Sequence, residues 1–216
     1  MSTDVVEQMV EQQVRAWDVL DQRILDTMRS VPRARFVPPA WRGIAYADCE
    51  IALPCGKRML RPMLVGRILD NLNVHAGEQV LEIGTGSGYL SACLASLGAT
   101  VRSVELHEGI ATLARENLAT LPGATPVEVV TADAMTLSEQ GIYDAVVLTA
   151  SLPVYLTRFQ EALRPGGRMF VVAGAQEPQQ AYLVRRTASG DFVREPLFET
   201  VIESLEHAPR PPLFSF

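Results

Sequence analysis

Cysteine is scarce in this chain, and its three copies, Cys49, Cys55 and Cys93, form no Cys-x-x-Cys pair. An odd count without paired spacing argues against a disulfide framework, and no zinc or iron–sulfur signature is present. His75, His107 and His207 stand too far apart in sequence for a metal set, so each reads as a surface or packing residue. No apolar run reaches the roughly 18 residues of a membrane-spanning helix, and no leader-type segment opens the sequence. The expectation is a soluble, cytoplasmic protein without a membrane partner. Long runs of one charge are also missing. The 19 basic and 25 acidic residues are interspersed, for a net charge of −6. That argues against a general polyanion surface, hence against nucleic acid, while leaving room for a local basic site. There are no internal repeats or low-complexity segments.

What is present is 48% hydrophobic residues in 216, enough for one full core. Residues 4–29 read as helix in two pieces. Val6, Met9, Val10 and Val14 share one face in the first; Ile24, Leu25 and Met28 share one in the second, with Asp21 as a cap and Pro32 as a stop. A long connection follows, stiffened by Pro38, Pro39 and Pro54 and pinned by the aromatics Trp41 and Tyr46. Pro62 opens another helix, with Met63, Leu64, Ile68 and Leu69 on its buried side. From Gln79 the pattern becomes α/β. Strands are expected at 79–83, 100–104, 127–130, 143–149 and 168–173, with helices at 88–97, 108–119 and 154–163. Their apolar runs lack clean alternation, as parallel strands covered on both faces do. Two further strands, 181–187 and 192–201, flank a Ser189-Gly190 hairpin turn. Residues 209–212 look like an unpaired tail.

The densest chemical information lies at Val80-Leu81-Glu82-Ile83-Gly84-Thr85-Gly86-Ser87-Gly88-Tyr89-Leu90. An apolar strand meets three glycines spaced by one residue, then a helix start. Glu105 follows Gly84 by 21 residues, at the tip of a second apolar strand. That spacing suits a nucleoside-containing cofactor whose ribose hydroxyls are held by the acid.

Glu82 to Tyr89 resembles the cofactor motif of S-adenosylmethionine-dependent methyltransferases, and its wording is similar to the protein-L-isoaspartate O-methyltransferase family. Val31-Pro32-Arg33-Ala34-Arg35-Phe36-Val37-Pro38, Ala45-Tyr46-Ala47-Asp48, Val104-Glu105, Ala114-Arg115-Glu116-Asn117-Leu118, Tyr143-Asp144-Ala145, Thr149-Ala150 and Leu163-Arg164-Pro165-Gly166-Gly167-Arg168 agree with it in order. The resemblance implies a Rossmann-like class I methyltransferase fold: a mostly parallel sheet flanked by helices, with an antiparallel addition after it. Typical members order their seven strands 3-2-1-4-5-7-6, with some rearrangement in this family. Residues 1–78 would supply helices and an acceptor loop packed on the core of residues 79–216, all in one domain. The implied cofactor is S-adenosyl-L-methionine, leaving as S-adenosyl-L-homocysteine, and the implied role is protein repair on an isoaspartyl protein or peptide.

Resemblance also distributes the cofactor contacts. Glu82 falls near the amino-acid end, with Gly84, Thr85, Gly86, Ser87 and Gly88 in the turn and Gly88 letting the helix approach the sheet. Glu105 and Leu106 fall at the ribose, Asp133 and Ala134 at the adenine edge, and Thr149 with Ala150 on the crevice floor. One segment departs. Where the family carries Gly-Gln-Thr-Ile-Ser-Gln-Pro, this chain has Gly56-Lys57-Arg58-Met59-Leu60-Arg61-Pro62. Lys57, Arg58, Leu60, Arg61 and Thr149 are therefore the acceptor-site candidates, the bases suited to an acidic group on the substrate. Cys55, beside this loop, reads as a small buried residue. Three functions stay open on these residues: the isoaspartyl reaction, transfer to another and small acidic acceptor, and cofactor binding without catalysis. A monomer or weak homodimer is expected, with the helical N-terminus and Pro211-Pro212-Leu213-Phe214-Ser215-Phe216 as interface candidates.

Overall fold

The computed structural model describes residues 3–121 and 126–212. Helix α1 (Thr3–Gln8) runs into a π-turn at Met9–Val14, a departure from the regular helix expected there. The wider turn aims Met9, Val10 and Val14 inward together, all fully buried. Helix α2 (Gln22–Ser30) begins as expected, with the Asp21 carboxylate accepting the Arg23 N–H at 2.8 Å. Strands β1 (Ile51–Ala52) and β2 (Arg58–Met59) pair as a small hairpin, closed by a Leu53 N–H to Lys57 carbonyl bond of 2.8 Å. Helix α3 (Pro62–Leu72) then leads into the sheet.

The connection between α2 and α3 is organised differently from the expectation. Trp41 is exposed rather than pinning it, whereas Tyr46 packs against the core as expected. Arg33 does that work from a fully buried position, donating from Nε to the Ala45 carbonyl (2.9 Å) and from Nη2 to the Leu60 carbonyl (2.7 Å). Cys55 is exposed, in a left-handed turn with φ +57°, and is not the buried residue anticipated.

Seven strands form the main sheet: β3 (Gln79–Ile83), β4 (Thr100–Glu105), β5 (Val127–Thr131), β6 (Tyr143–Leu148), β7 (Leu163–Ala173), β8 (Gln179–Arg186) and β9 (Phe192–Thr200). Their order is β5-β4-β3-β6-β7-β8-β9. The first five are parallel, and β8 and β9 add antiparallel in simple succession, so the last two strands are exchanged relative to the typical methyltransferase order. Helices α4 (Tyr89–Ser96) and α5 (Glu108–Ala119) follow β3 and β4.

Period-two alternation sorts the strand residues between two cores. Val80, Ala145, Val147, Phe170 and Val172 face the core built with α2, α3 and α4. Leu81, Ile83, Val146, Leu148, Met169 and Val171 face the other. That second face carries 3₁₀ turns where a helix at 154–163 was expected. Only Thr157–Ala162 is helical, and tightly wound. The Glu161 and Ala162 carbonyls accept Gly141 and Ile142 N–H groups at 2.9 Å each, which ties the segment to the β6 edge instead of to another helical turn. The strand expected at 168–173 begins earlier and contains Pro165-Gly166-Gly167. Leu163 already pairs with Tyr143, and the ladder resumes at Arg168 opposite Ala145, so the three residues bulge from within β7.

Candidate active site

Parallel strands β3, β4 and β6 end together, and the cleft lies beyond their carboxyl ends, where open α/β sheets bind ligands. The chain leaves β3 at Ile83 and turns at Gly84 with φ +93°, a backbone state that side-chain-bearing residues rarely adopt. Space demands glycine there too, since a Cβ would lie 2.2 Å from Thr149 Oγ1. The Thr149 hydroxyl is held against this turn by the Gly84 carbonyl (2.7 Å) and the Ile83 carbonyl (3.0 Å). Gly88 serves a different contact from the one expected. Its missing Cβ makes room for Ala114 and Leu118 of α5, not for the sheet.

Glu105 ends β4 beneath the glycine turn and is nearly buried. One carboxylate oxygen accepts the Gly86 N–H and the other the His107 N–H, both at 3.1 Å. Each oxygen keeps a second lone pair for an incoming hydroxyl. Glu82, fully buried, sits behind the turn. Ser91 and Ser103 donate to its Oε2, the latter at 2.6 Å, and Thr85 completes the chain by bonding to Ser103. Its Oε1 has no partner among the described residues. Burial pushes the Glu82 carboxyl up to about 7, against the pull of the two serines and with the Glu105 charge adding to the rise.

Two lobes open from this turn. The larger is lined by Gly84, Gly86, Glu105, Leu106, Asp133 and Ala134, among others, and the smaller by Arg33, Glu82, Thr85, Ser87, Tyr89 and others. Arg58, Leu60, Gly84, Gly86 and Thr149 border both. Lys57 and Ala150 line only the larger lobe, and Arg61 lines neither.

The front wall is a strap of residues 203–207 that the sequence did not announce. It is anchored by the Ser151 N–H to the Glu203 carbonyl and the Leu205 N–H to the Ser151 carbonyl, both 2.8 Å. Charge fastens the rest. Lys57 and His107 (2.9 Å) both reach Glu206 Oε1, Arg58 reaches Glu203 (3.5 Å) and Glu50 (3.8 Å), and His207 Nδ1 reaches Asp133 Oδ2 (2.7 Å). Lys57 foremost, with His107, holds the Glu206 carboxyl down at about 2. Burial raises Asp133, but the Met135 N–H and His207 outweigh it and keep its carboxyl below the usual range. His107 thus lines the larger lobe, whereas His207 is an exposed surface residue that meets Asp133.

A model of the protein-L-isoaspartate(D-aspartate) O-methyltransferase family matches residues 4–204. The chain belongs to this family. Its relatives include a protein-L-isoaspartate O-methyltransferase of Methanoculleus marisnigri, 41% identical over 182 residues, covering 83% of this chain and 82% of the other. The namesake of Koribacter versatilis is 35% identical over 181 residues, covering 83% and 81%. Among solved structures, a candidate protein-L-isoaspartate O-methyltransferase from Plasmodium falciparum, in complex with S-adenosyl-L-homocysteine, superposes with a TM-score of 0.79. It covers 93% of this chain and 98% of its own at 19% identity, which establishes the shared fold.

Within the O-methyltransferase framework, most sequence-selected residues converge. Glu82, Thr85 and Ser87 gather at the smaller lobe; Glu105, Leu106, Asp133 and Ala134 gather at the larger. Lys57 and Arg58 have their charges answered within the chain by the strap's acids. Sequence reasoning missed Glu203, Glu206 and His207. The one available signal was the acidic Glu203-Ser204-Leu205-Glu206 following the last strand, unusual as a partner for the basic Lys57-Arg58 but separated from it by most of the chain.

Proposed function

We propose that this chain is an S-adenosyl-L-methionine-dependent methyltransferase that esterifies the free carboxylate at an isoaspartyl residue of a protein or peptide. The observation that carries the reading is Glu105, a buried carboxylate beneath the glycine turn with one free lone pair on each oxygen. A ribose diol offers two adjacent hydroxyls and matches it. Glu82, whose Oε1 has no donor among the described residues, suits the cofactor's ammonium. Ala132, Asp133 and Ala134 border the larger lobe where a planar base would rest. When bound, the cofactor supplies an electrophilic methyl group on a sulfonium.

The chain's residues then have positioning and desolvation to perform. An acceptor carboxylate has an unperturbed pKa of roughly 4 and arrives ionised, so no general base is needed. Orienting a nucleophile in a site closed to water accounts for a gain of about 7–11 kcal/mol in well-aligned systems. The strap and the β1–β2 hairpin form that enclosure. Arg58 borders both lobes, and its Glu203 and Glu50 partners lie at 3.5 and 3.8 Å with its side chain 57% exposed. Such loose exposed pairs are worth about 0–1 kcal/mol, so an incoming carboxylate has little to displace.

Labelled S-adenosyl-L-methionine with an isoaspartyl peptide and its aspartyl counterpart tests the reading. Label is expected on the isoaspartyl peptide alone. Equal labelling of both, or of neither, would sink the acceptor assignment, and failure to bind S-adenosyl-L-homocysteine would sink the cofactor assignment.

A further inference from the structure

Arg33 is the least explained charge in the molecule. Its side chain is fully buried, in a 3₁₀ turn (Arg33–Phe36) well before the glycine motif. Two of its nitrogens hold the Ala45 and Leu60 carbonyls, and its guanidinium lies 5.0 Å above the Tyr89 ring. The third, Nη1, has no partner among the described residues, and no carboxylate there forms an ion pair with Arg33. Burying a guanidinium without an anion is expensive, and an arginine does not escape the expense by losing its proton. The two carbonyls account for Nε and Nη2 but leave Nη1 and the guanidinium's charge unanswered.

The same small cavity, about 40 Å³, is also lined by Glu82, which is equally buried and has an orphaned Oε1. The two groups form no ion pair with each other. That cavity beside the glycine turn is therefore lined by a buried cation and a buried acid, each with one polar atom left unpaired among the described residues. A group with its own opposite charges on neighbouring atoms satisfies both, and an α-amino acid is such a group. Gly84, Gly86 and Thr149 connect the cavity to the lobe proposed for the nucleoside.

We propose that Arg33 and Glu82 together read the zwitterionic end of the cofactor, Arg33 Nη1 donating to the α-carboxylate and Glu82 Oε1 accepting from the α-ammonium. This rests on the cofactor assignment above and adds Arg33 as a binding residue. It also explains why the hairpin carrying Arg58 and Leu60 stays correctly placed. The guanidinium that meets the ligand is the one that holds the Leu60 carbonyl.

Calorimetric titration of the intact chain separates this idea from its competitors. Four ligands are needed: S-adenosyl-L-homocysteine, its decarboxylated analogue, its deaminated analogue, and methylthioadenosine, which lacks the amino-acid end. In the native chain, removing either charged group should weaken binding about 10- to 100-fold, as expected for a charge-assisted hydrogen bond. In Arg33→Gln, S-adenosyl-L-homocysteine and its decarboxylated analogue should bind within threefold of each other. In Glu82→Gln the same should hold for the deaminated analogue. If decarboxylation costs the native and Arg33→Gln chains the same factor, Arg33 does not read the carboxylate and the proposal is overturned. Should Arg33→Gln not fold, a crystal structure of the native complex decides. A carboxylate oxygen within about 3 Å of Arg33 Nη1 supports the proposal, and a water occupying that position refutes it. Native protein that binds methylthioadenosine and S-adenosyl-L-homocysteine equally well would overturn the inference while leaving the cofactor assignment standing. Binding of neither would overturn both.

Discussion

Gly84→Ala is the sharpest test of how the glycine turn is built, because two separable costs converge on one methyl group. The first is conformational. Alanine at φ +93° pays about 1–3 kcal/mol of backbone strain. The second is steric, since the new Cβ would stand 2.2 Å from Thr149 Oγ1 but at an ordinary 3.6 Å from Thr149 Cβ. The clash is therefore with the hydroxyl alone, which must swing away and give up its bonds to the Ile83 and Gly84 carbonyls, at about 1 kcal/mol. Gly84→Ala should lose about 2–4 kcal/mol in all, and Thr149→Ala about 1 kcal/mol. The double variant is the informative one. With the hydroxyl already displaced by the alanine, removing it should cost close to nothing, giving a coupling of about 1 kcal/mol. Urea unfolding of the four proteins measures this, provided their denaturant slopes agree. Additivity within about 0.3 kcal/mol would show that Thr149 does not feel a Cβ at position 84, and the account of this turn would be wrong.

Other consequences are simpler to state. Glu105→Ala should weaken S-adenosyl-L-homocysteine binding by about 10- to 100-fold through loss of two carboxylate hydrogen bonds, and unaltered calorimetric affinity would remove Glu105 from the ribose. Arg168 donates a fork to both Glu78 oxygens (2.7 Å each) and bonds to the Leu72 and Asn73 carbonyls, so Arg168→Met should cost about 3 kcal/mol in urea unfolding. Burial raises Glu78, but Arg168 and the His75 N–H prevail and hold its carboxyl below the usual 4.5. Its contribution is present above that value and lost as pH falls, so melts between pH 3 and 6 should show a shallower acid decline in Arg168→Met. Glu82 works in the opposite sense. The folded chain keeps a proton up to about 7 that the unfolded chain releases near 4.5, so ligand-free stability should decline across that interval. Glu82→Gln should abolish this decline, and a persistent slope in the variant would place its origin elsewhere.

The parts of this molecule legible in sequence are those decided locally. Strand 79–83, the Asp21 cap, the Pro62 helix start and the Ser189-Gly190 hairpin follow from residues a few positions apart. Glu105 was readable because the distance from glycine turn to acid is fixed by one helix and one strand. Residues 154–163 misled because Phe159 and Ala162 are spaced as on a helix, while the competing bonds come from Gly141 and Ile142. The π-turn at Met9–Val14 was hidden for a related reason, as a widened turn keeps the apolar content of an α-helix. Arg33 and the strap were invisible because their partners are remote. Nothing near Arg33 in the chain forecasts a buried guanidinium, and nothing near Glu206 names Lys57 or His107.

The clasp between the β1–β2 hairpin and residues 203–207 has a bearing on synthesis. The glycine turn, Glu105 and the parallel strands all leave the ribosome before the strap does, and a domain folds as a unit. A chain synthesised only as far as β7 lacks the residues of the cleft's front wall. That wall is supplied only by the residues after the last antiparallel strand and their acids. The cleft's enclosure is therefore among the last features that synthesis makes possible.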